Sequence, residues 1–171
     1  MDKLIQVAKQ CYQCGKCSAG CPVQFAMDIP PNQVMRLLQR GLVDEVLTAK
    51  SIWVCASCNT CTTRCLRGID IAATMDELRR LSLKRGMANR FGRNANIFHD
   101  VFLGSVRRFG RLYELGLAIQ LNLKTGNLFK DAQYGWPMFS KGKLKLFPES
   151  INGLNQINKI YQAAREMGDD I

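Results

Sequence analysis

The chain has 171 residues, 47% of them hydrophobic, and its 24 Lys and Arg residues against 14 Asp and Glu residues give a formal net charge of +10. This length accommodates one domain or two small ones. The sequence argues against a membrane-spanning protein, since a spanning helix needs roughly 18 consecutive apolar residues and the best segment, residues 112–123, contains Glu114, Gln120 and Asn122.

All eight cysteines belong to two tetrads of the same spacing. The first tetrad has the form C-x2-C-x2-C-x3-C followed by Pro22, and the second has Leu66 at the proline position. This spacing is typical of cysteines that bind cubane iron-sulfur clusters, so we predict two [4Fe-4S] clusters and a role in electron transfer. The predicted ligands are Cys11, Cys14, Cys17 and Cys21 in the first tetrad and Cys55, Cys58, Cys61 and Cys65 in the second.

Each cluster is expected to take three ligands from one tetrad and the fourth from the other. Two closely spaced C-x-x-C turns place the sulfurs of the first three cysteines on one side of a cluster site. The fourth cysteine lies farther along the chain and no longer faces that site. Pro22 supports this arrangement, because the residue before a proline is held in an extended conformation. Leu66 is not a ligand, but it has a backbone N–H that proline lacks. We therefore expect the change from proline to alter the hydrogen bonding near a cluster and the cluster's reduction potential, without loss of the cluster. We therefore assign the first cluster to Cys11, Cys14, Cys17 and Cys65, and the second to Cys55, Cys58, Cys61 and Cys21.

Three other interpretations of the cysteines compete with this one. Zinc also uses C-x-x-C pairs, but zinc ribbons join two separated pairs, whereas each tetrad here lies within eleven residues and has no histidine nearby. A disulfide framework is disfavoured because the sequence starts MDKLIQVAKQ, without an apolar signal segment, which indicates a reducing cytoplasm. Buried structural thiols would not explain a repeated spacing.

The residues between and after the tetrads have helical patterns. Residues 30–38 begin with two prolines and carry apolar residues at helical spacing, Gly41 suits a C-terminal cap, and residues 42–47 continue on a second helical segment. After the second tetrad, Asp70 is the predicted N-cap of a helix that ends at Gly86. The predicted fold is all-α, with an alpha-helical ferredoxin domain, residues 1–86, in which two cluster-binding loops lie between helices.

The remaining residues, 87–171, are predicted to form a basic, helical and partly extended region that docks partner proteins. Helical periodicity covers residues 94–109 and 111–124, and a further helix is expected from about residue 150 to residue 167. Residues 143–147 are predicted to form an extended arm. They lie in a segment, 135–148, whose Gly and Pro residues suit a chain that follows a partner's surface.

A basic block at the start of this region predicts a negatively charged partner, such as an acidic protein surface. A solvated helical face is the alternative interpretation. Nucleic acid is not expected, because no aromatic RNP run or helix-turn-helix motif accompanies the charges. Across residues 79–111, Asp100 alone opposes nine basic residues, which are Arg79, Arg80, Lys84, Arg85, Arg90, Arg93, Arg107, Arg108 and Arg111.

Single residues outside the tetrads have narrower predictions. Trp53, two residues before Cys55, is expected to pack against the second cluster and keep water away from it. The lone histidine, His99, is given no role, because a single helical histidine is usually a surface or packing residue. Core positions are expected for Met27, Met35, Met75 and Met87.

With these features in view, the chain resembles the iron-sulfur C subunits of heterodisulfide reductases over nearly its whole length. The family's W-x-C-x-x-C-x-x-C-x-x-R-C stretch appears as Trp53 to Cys65 with Arg64 in place, and GLVDEVLTAK resembles the helix before it. RLYELGLAIQLNLKTG and MFSKGKLKLFPE resemble the family's C-terminal half. Leu66 departs from the family's usual proline.

The resemblance implies an electron-transfer subunit of an oxidoreductase complex that performs no bond chemistry itself. Electrons from a partner subunit that contains flavin and iron-sulfur clusters would pass through the two [4Fe-4S] clusters to a second partner, the disulfide-reducing subunit, whose own clusters reduce a disulfide. In methanogenesis that disulfide joins coenzyme M and coenzyme B. Two alternatives stay open: the iron-sulfur subunit of a related membrane-linked, quinone-linked or sulfur-oxidising complex, and, from another class, a zinc-stabilised module that binds nucleic acid.

Overall fold

The computed structural model describes residues 2–126, 137–138, 140–142 and 147–166, and its regular elements there are all helical, which confirms the all-α fold. Most of the predicted arm, 143–147, and half of the segment 135–148 lie outside the described residues. The helices are α1 (Asp2–Lys9), α2 (Lys16–Ala19), α3 (Pro31–Gln39), α4 (Val43–Thr48), α5 (Ser51–Val54), α6 (Thr60–Thr63), α7 (Ile71–Lys84), α8 (Arg90–Phe109), α9 (Glu114–Thr125) and α10 (Leu154–Glu166), with a 3₁₀ turn at Gln24–Ala26.

The chain divides into two compact units, a first unit Met1–Arg93 and a second unit Asn94–Ile171. The division falls within α8. The separate roles assigned to residues 1–86 and 87–171 stay a prediction. None of the helices in the described residues is both long and apolar enough to cross a membrane.

The core of the first unit forms where α1, α4 and α5 meet α3 and α7. The side chains of Met35, Leu38, Leu47 and Met75 are fully buried there. A buried hydroxyl joins two of these helices, because Ser82 Oγ donates a hydrogen bond to the Leu47 carbonyl at 2.7 Å. The short helices α2 and α6, which follow the two cysteine turns, pack against each other. This core therefore fixes the helices from which both cysteine loops extend.

The predicted ends of α3 and α7 are confirmed. Pro30 and Pro31 open α3, and Gly41 follows it with φ 75° while the Leu42 N–H reaches back to the Leu37 carbonyl at 3.0 Å. This is the left-handed helix end that glycine permits. Asp70 caps α7 by accepting a hydrogen bond from the Ala73 N–H at 2.9 Å.

The starts of α8, α9 and α10 differ from the sequence prediction. α8 begins four residues earlier than residue 94, because Asn89 acts as an N-cap whose Oδ1 accepts from the Gly92 N–H at 2.8 Å. α9 begins at Glu114 and not at residue 111, because the Ser105 hydroxyl accepts from the Tyr113 N–H at 2.9 Å and holds that residue outside the helix. α10 begins at Leu154 and not near residue 150, since the Ile151 N–H is bonded to the Phe109 carbonyl at 3.0 Å.

Candidate iron-sulfur site

The two cysteine turns, residues 11–17 and 55–61, repeat the same unusual backbone. Gln13 and Ser57, each just before the second cysteine of its tetrad, have φ values of 64° and 48°. Gly15 and Asn59, each just after that cysteine, have φ values of 76° and 59°. Non-glycine residues rarely adopt this left-handed conformation. Its recurrence at equivalent positions means that the cysteine spacing is a true structural repeat, and each turn runs directly into a short helix.

One cavity brings Cys21 of the first tetrad together with three cysteines of the second tetrad. Cys21, Cys55, Cys58 and Cys61 line it, which is the ligand set predicted for the second cluster. The rest of its wall is apolar, and apolar surroundings suit a cluster because they limit access of water. The other lining residues are Val23, Met27, Pro31, Ala56, Ala72 and Met75.

The structure also places Cys65 beside the first cysteine turn. Tyr12 lies near both Cys14 and Cys65, and a hydrogen bond to Cys14, loss of solvent and the charges of both thiols raise the pKa of Tyr12. Farther along, Arg67 Nε donates a hydrogen bond to the Gln10 carbonyl at 3.3 Å. The fourth cysteine of the second tetrad thus lies near Tyr12, in the first cysteine turn, and the residue two places after it is bonded to the segment just before that turn. Leu66, at the unusual position after it, is 64% exposed.

Exposure follows the same order in both tetrads. Cys14 and Cys58, the second cysteines, are exposed, whereas Cys17 is buried and Cys61 is half-buried. Burial raises the pKa of the Cys17 and Cys61 thiols. The Lys16 backbone N–H lowers the pKa of Cys14, and the Thr60 hydroxyl lowers that of Cys58. Each tetrad therefore presents one solvent-facing sulfur that ionises readily and one sheltered sulfur.

Several hydrogen-bond donors point at cysteine sulfurs. The Gln13 backbone N–H and its side-chain Nε2 lie 3.4 Å and 3.5 Å from Cys11 Sγ. The Ile69 N–H lies 3.4 Å from Cys65 Sγ. In the second turn, the Cys58 thiol donates to the Thr60 hydroxyl oxygen at 3.4 Å, and the same hydroxyl can donate in turn to a Cys58 thiolate. Donors of this kind tune an iron-sulfur cluster by stabilising negative charge on its ligands.

Each cysteine turn is held by a long polar side chain from a neighbouring helix, which donates a hydrogen bond to the carbonyl of the first cysteine. The sequence analysis did not predict these two clamp residues. Gln39, at the end of α3, donates through Nε2 to the Cys11 carbonyl at 2.5 Å. Arg79, on α7, donates to the equivalent Cys55 carbonyl at 2.9 Å and to Ser57 Oγ at 2.6 Å. Each clamp residue is more than twenty residues from the carbonyl that it holds, so no local motif could reveal it.

Asp28 is a second polar feature that sequence reasoning missed. Its carboxylate accepts hydrogen bonds from the N–H groups of Lys50 and Ser51 at 2.8 and 2.9 Å, as well as from the Ser51 hydroxyl. Burial opposes ionisation, but these donors lower the pKa of Asp28 overall. The carboxylate joins the segment after Cys21 to α5, the helix that leads into Cys55.

The predicted environment of Trp53 needs correction. Its ring lies against Gly92, and any Cβ at that position would collide with the indole. Trp53 is not among the residues that line the cavity of Cys21, Cys55, Cys58 and Cys61. Of the methionines, Met35 and Met75 are in the core as predicted, and Met75 together with Met27 also lines that cavity.

The basic block is less positive than its sequence indicates. Four of its nine members form ion pairs with carboxylates: Arg79 with Asp76, Arg80 with Glu77, Arg85 with Asp44 at 3.2 Å, and Arg111 with Glu149 at 3.5 Å. All four acidic partners lie outside the block in sequence. A count of charge along residues 79–111 could not include them.

Two comparisons with known proteins identify the domain. Residues 7–69 match the family model described as a 4Fe-4S dicluster domain. The chain is 39% identical to the iron-sulfur C subunit of the CoB–CoM heterodisulfide reductase of Methanopyrus kandleri over 88 residues, which are 52% of this chain and 46% of that protein. It is 32% identical to an iron-sulfur C subunit of the same enzyme from Methanocaldococcus jannaschii over 109 residues, 64% of this chain and 54% of that protein.

A third relative is the C subunit of the ferredoxin:CoB–CoM heterodisulfide reductase of Methanosarcina mazei, 34% identical over 92 residues, 50% of this chain and 56% of that protein. The chain spans about half the length of the curated relatives that it matches. The similarity is thus narrower than the near full-length resemblance expected from the sequence.

The dicluster match favours two [4Fe-4S] clusters over the zinc alternative. Residues 7–69 thus match the 4Fe-4S dicluster domain model, and the chain is similar to the iron-sulfur C subunits of heterodisulfide reductases.

Proposed function

We propose that this chain is a cytoplasmic electron-transfer subunit of a heterodisulfide reductase-type complex. Electrons from a partner subunit that contains flavin and iron-sulfur clusters pass through its two [4Fe-4S] clusters to a disulfide-reducing partner subunit. The observation that carries the proposal is the repeated pair of cysteine turns in a dicluster domain, together with relatives that are iron-sulfur C subunits of such enzymes.

The proposed ligands are Cys11, Cys14, Cys17 and Cys65 for the first cluster and Cys55, Cys58, Cys61 and Cys21 for the second. Thiolates are the ligands that cubane clusters use, and the cavity lined by Cys21, Cys55, Cys58 and Cys61 is otherwise apolar. The placement of Cys65 beside Tyr12 and Cys14 supports its exchange into the first set. When bound, each cluster supplies a one-electron carrier.

The protein's own residues would hold the carriers and control access to them. Cys17 and Cys61 shelter the inner side of each site, whereas the exposed Cys14 and Cys58 leave one edge of each site open to solvent. An open edge permits close approach of a donor or acceptor. Two sites with one open edge each suit a relay that receives an electron at one cluster and releases it at the other.

The second unit supplies the proposed docking surface for the partner subunits. Ile119 and Leu123 of α9 are 52% and 59% exposed, and Ile160 of α10 is also exposed. Exposed apolar side chains that lie together on neighbouring turns of a helix often mark a site of contact with another protein. The basic residues Arg107 and Arg108, for which the described residues contain no ion pair, add attraction for an acidic surface.

The test is an anaerobic pull-down of the tagged chain from its native host, followed by mass spectrometry and iron analysis. We expect a flavin subunit and a disulfide-reducing subunit to co-purify with a chain that carries about eight iron atoms. A double variant Ile119→Asp/Leu123→Asp should keep its iron and lose the partners. Gln120→Asp, an exposed polar position on the same helix, should keep both.

Recovery of a membrane cytochrome in place of the flavin subunit would assign the chain to the related quinone-linked system. Recovery of no partner, with the clusters present, would contradict the docking role of the second unit.

A further inference from the structure

The clamp on the first cysteine turn is a closed network of two glutamine side chains. Gln39 Nε2 donates to the Ala8 carbonyl at 2.9 Å and to the Cys11 carbonyl at 2.5 Å. Gln39 Oε1 accepts from Gln13 Nε2 at 3.4 Å, and the same Gln13 nitrogen lies 3.5 Å from Cys11 Sγ. Each amide hydrogen thus has a separate acceptor.

This network leaves one consistent orientation for both amides. If Gln39 were flipped, its oxygen would face two carbonyl oxygens and neither could donate. If Gln13 were flipped, its oxygen would face both the Gln39 oxygen and a sulfur that carries negative charge when it binds iron. Gln39, anchored to two backbone carbonyls, therefore directs a Gln13 N–H at the Cys11 sulfur.

The second cysteine turn has the same design with different chemistry. Ser57 takes the place of Gln13, and Arg79 takes the place of Gln39. Arg79 donates to the Cys55 carbonyl and to the Ser57 hydroxyl, and both side chains donate to Asp76. Within the described residues, no side-chain donor reaches Cys55 Sγ. The positive charge of Arg79 is offset by its ion pair with Asp76.

We infer that Gln13, held in place by Gln39, raises the reduction potential of the cluster that Cys11 ligates. Reduction adds one electron, whose charge spreads onto the cysteine sulfurs, and a fixed N–H donor stabilises the more negative reduced state. The backbone N–H groups of Gln13 and Ile69 point at sulfurs proposed for the same cluster and act in the same direction. The first cysteine turn thus offers its cluster a side-chain donor at Cys11, whereas no side-chain donor of the described residues reaches the equivalent Cys55 sulfur.

This inference rests on the proposed function only in requiring two bound clusters, and it is independent of the partner subunits. The experiment is an anaerobic redox titration of the holoprotein, followed by electron paramagnetic resonance. In Gln13→Met, which keeps side-chain length and removes the donor, one of the two midpoint potentials should fall. The expected fall corresponds to about a threefold to tenfold lower ratio of reduced to oxidised cluster at a fixed poise, a tenfold change being about 59 mV for one electron.

Gln39→Met should lower the same potential, since it frees Gln13 from its position. Ser57→Ala, at the equivalent site of the second turn, should leave that potential unchanged. Thr60→Val, which removes the hydroxyl beside Cys58, should lower the other potential. This pattern would assign each potential to one cysteine turn.

The inference is overturned if Gln13→Met carries a full complement of iron and both potentials match those of the wild type. It is equally overturned if Gln39→Met reduces thermal stability but moves neither potential, because the pair is then a structural clamp alone. A potential shift without partners in the pull-down would contradict the docking role of the second unit and keep the tuning role of Gln13. Recovery of the partners without a shift in either potential would keep the docking role and refute the tuning role of Gln13.

Discussion

The two units of the chain bury their apolar residues very differently. In the described residues, all of the buried hydrophobic side chains except Val101 belong to the first unit. The second unit contains α9, whose sequence ELGLAIQLNLKT is largely apolar, yet none of its residues is buried. The first unit therefore has a core of its own that positions the cysteine turns, whereas the apolar surface of the second unit suits contact with another protein.

The largest expected effect comes from removing a core side chain of the first unit. Leu38→Ala should lower the free energy of unfolding by about 2–5 kcal/mol, because Leu38 is fully buried and truncation leaves a cavity. The matched change in the second unit, Leu123→Ala, should shift stability by less than about 0.5 kcal/mol, because this side chain is 59% exposed. Anaerobic denaturant unfolding of both variants measures the difference. Equal losses would show that the two units do not differ in this way.

A smaller effect is expected from the carboxylate that joins the segment after Cys21 to α5. Asp28→Ala should destabilise the protein by about 1–3 kcal/mol, since it leaves the N–H groups of Lys50 and Ser51 without their acceptor. Asp28→Asn keeps one acceptor oxygen and should therefore lose less stability than Asp28→Ala. In the second unit, Asp100→Ala should have little effect, because within the part of the chain that the structure describes Asp100 accepts only a 3.4 Å hydrogen bond from Asn96. Thermal unfolding under argon ranks the three variants, and a loss in Asp100→Ala as large as that in Asp28→Ala would contradict the comparison.

The N-cap of α7 provides a third test within the first unit. Asp70→Ala should cost about 0.5–2 kcal/mol, because the Ala73 N–H and the Thr62 hydroxyl both lose their acceptor. Asp70→Ser keeps a capping oxygen and should recover most of the loss. Amide hydrogen exchange in the first turn of α7 reports the effect directly. Unchanged protection in the alanine variant would exclude a capping role.

The smallest effect is expected for the exposed ion pair of the second unit, Arg111 with Glu149 at 3.5 Å. Arg111→Gln should change the free energy of unfolding by no more than about 1 kcal/mol, because surface pairs are weakened by solvent. High salt should remove most of the difference between variant and wild type. A large effect that persists in about 1 M KCl would mean that Arg111 has a role beyond this pair.

The sequence predicts the features that depend on neighbouring residues. Pro31, Gly41 and Asp70 each begin, end or cap the helix next to them in sequence. Local rules therefore identified both ends of α3 and the start of α7. The cysteine spacing likewise predicted the repeated turns. Asn89 is also a local N-cap signal, but Gly92 in the first turn of α8 weakens the helical pattern there, because glycine is unfavourable in helices.

The features that could not be predicted depend on tertiary packing. Gln39 and Arg79 reach carbonyls of distant turns only because α3 and α7 pack where they do. Nothing in the sequence around either residue distinguishes it from an ordinary polar residue on a helix surface. The same holds for Asp28, whose partners on α5 and just before it, Ser51 and Lys50, lie more than twenty residues away.

The unusual setting of Trp53 gives the protein a built-in optical reporter. Its Nε1 is buried and has no acceptor among the described residues, so the indole sits in apolar surroundings that favour blue-shifted fluorescence. Trp53 and Trp136 are the two tryptophans of the chain, and Trp53 precedes a cysteine turn by two residues. In a Trp136→Phe background, quenching of the remaining emission would follow the filling of the neighbouring site in real time, without an attached dye.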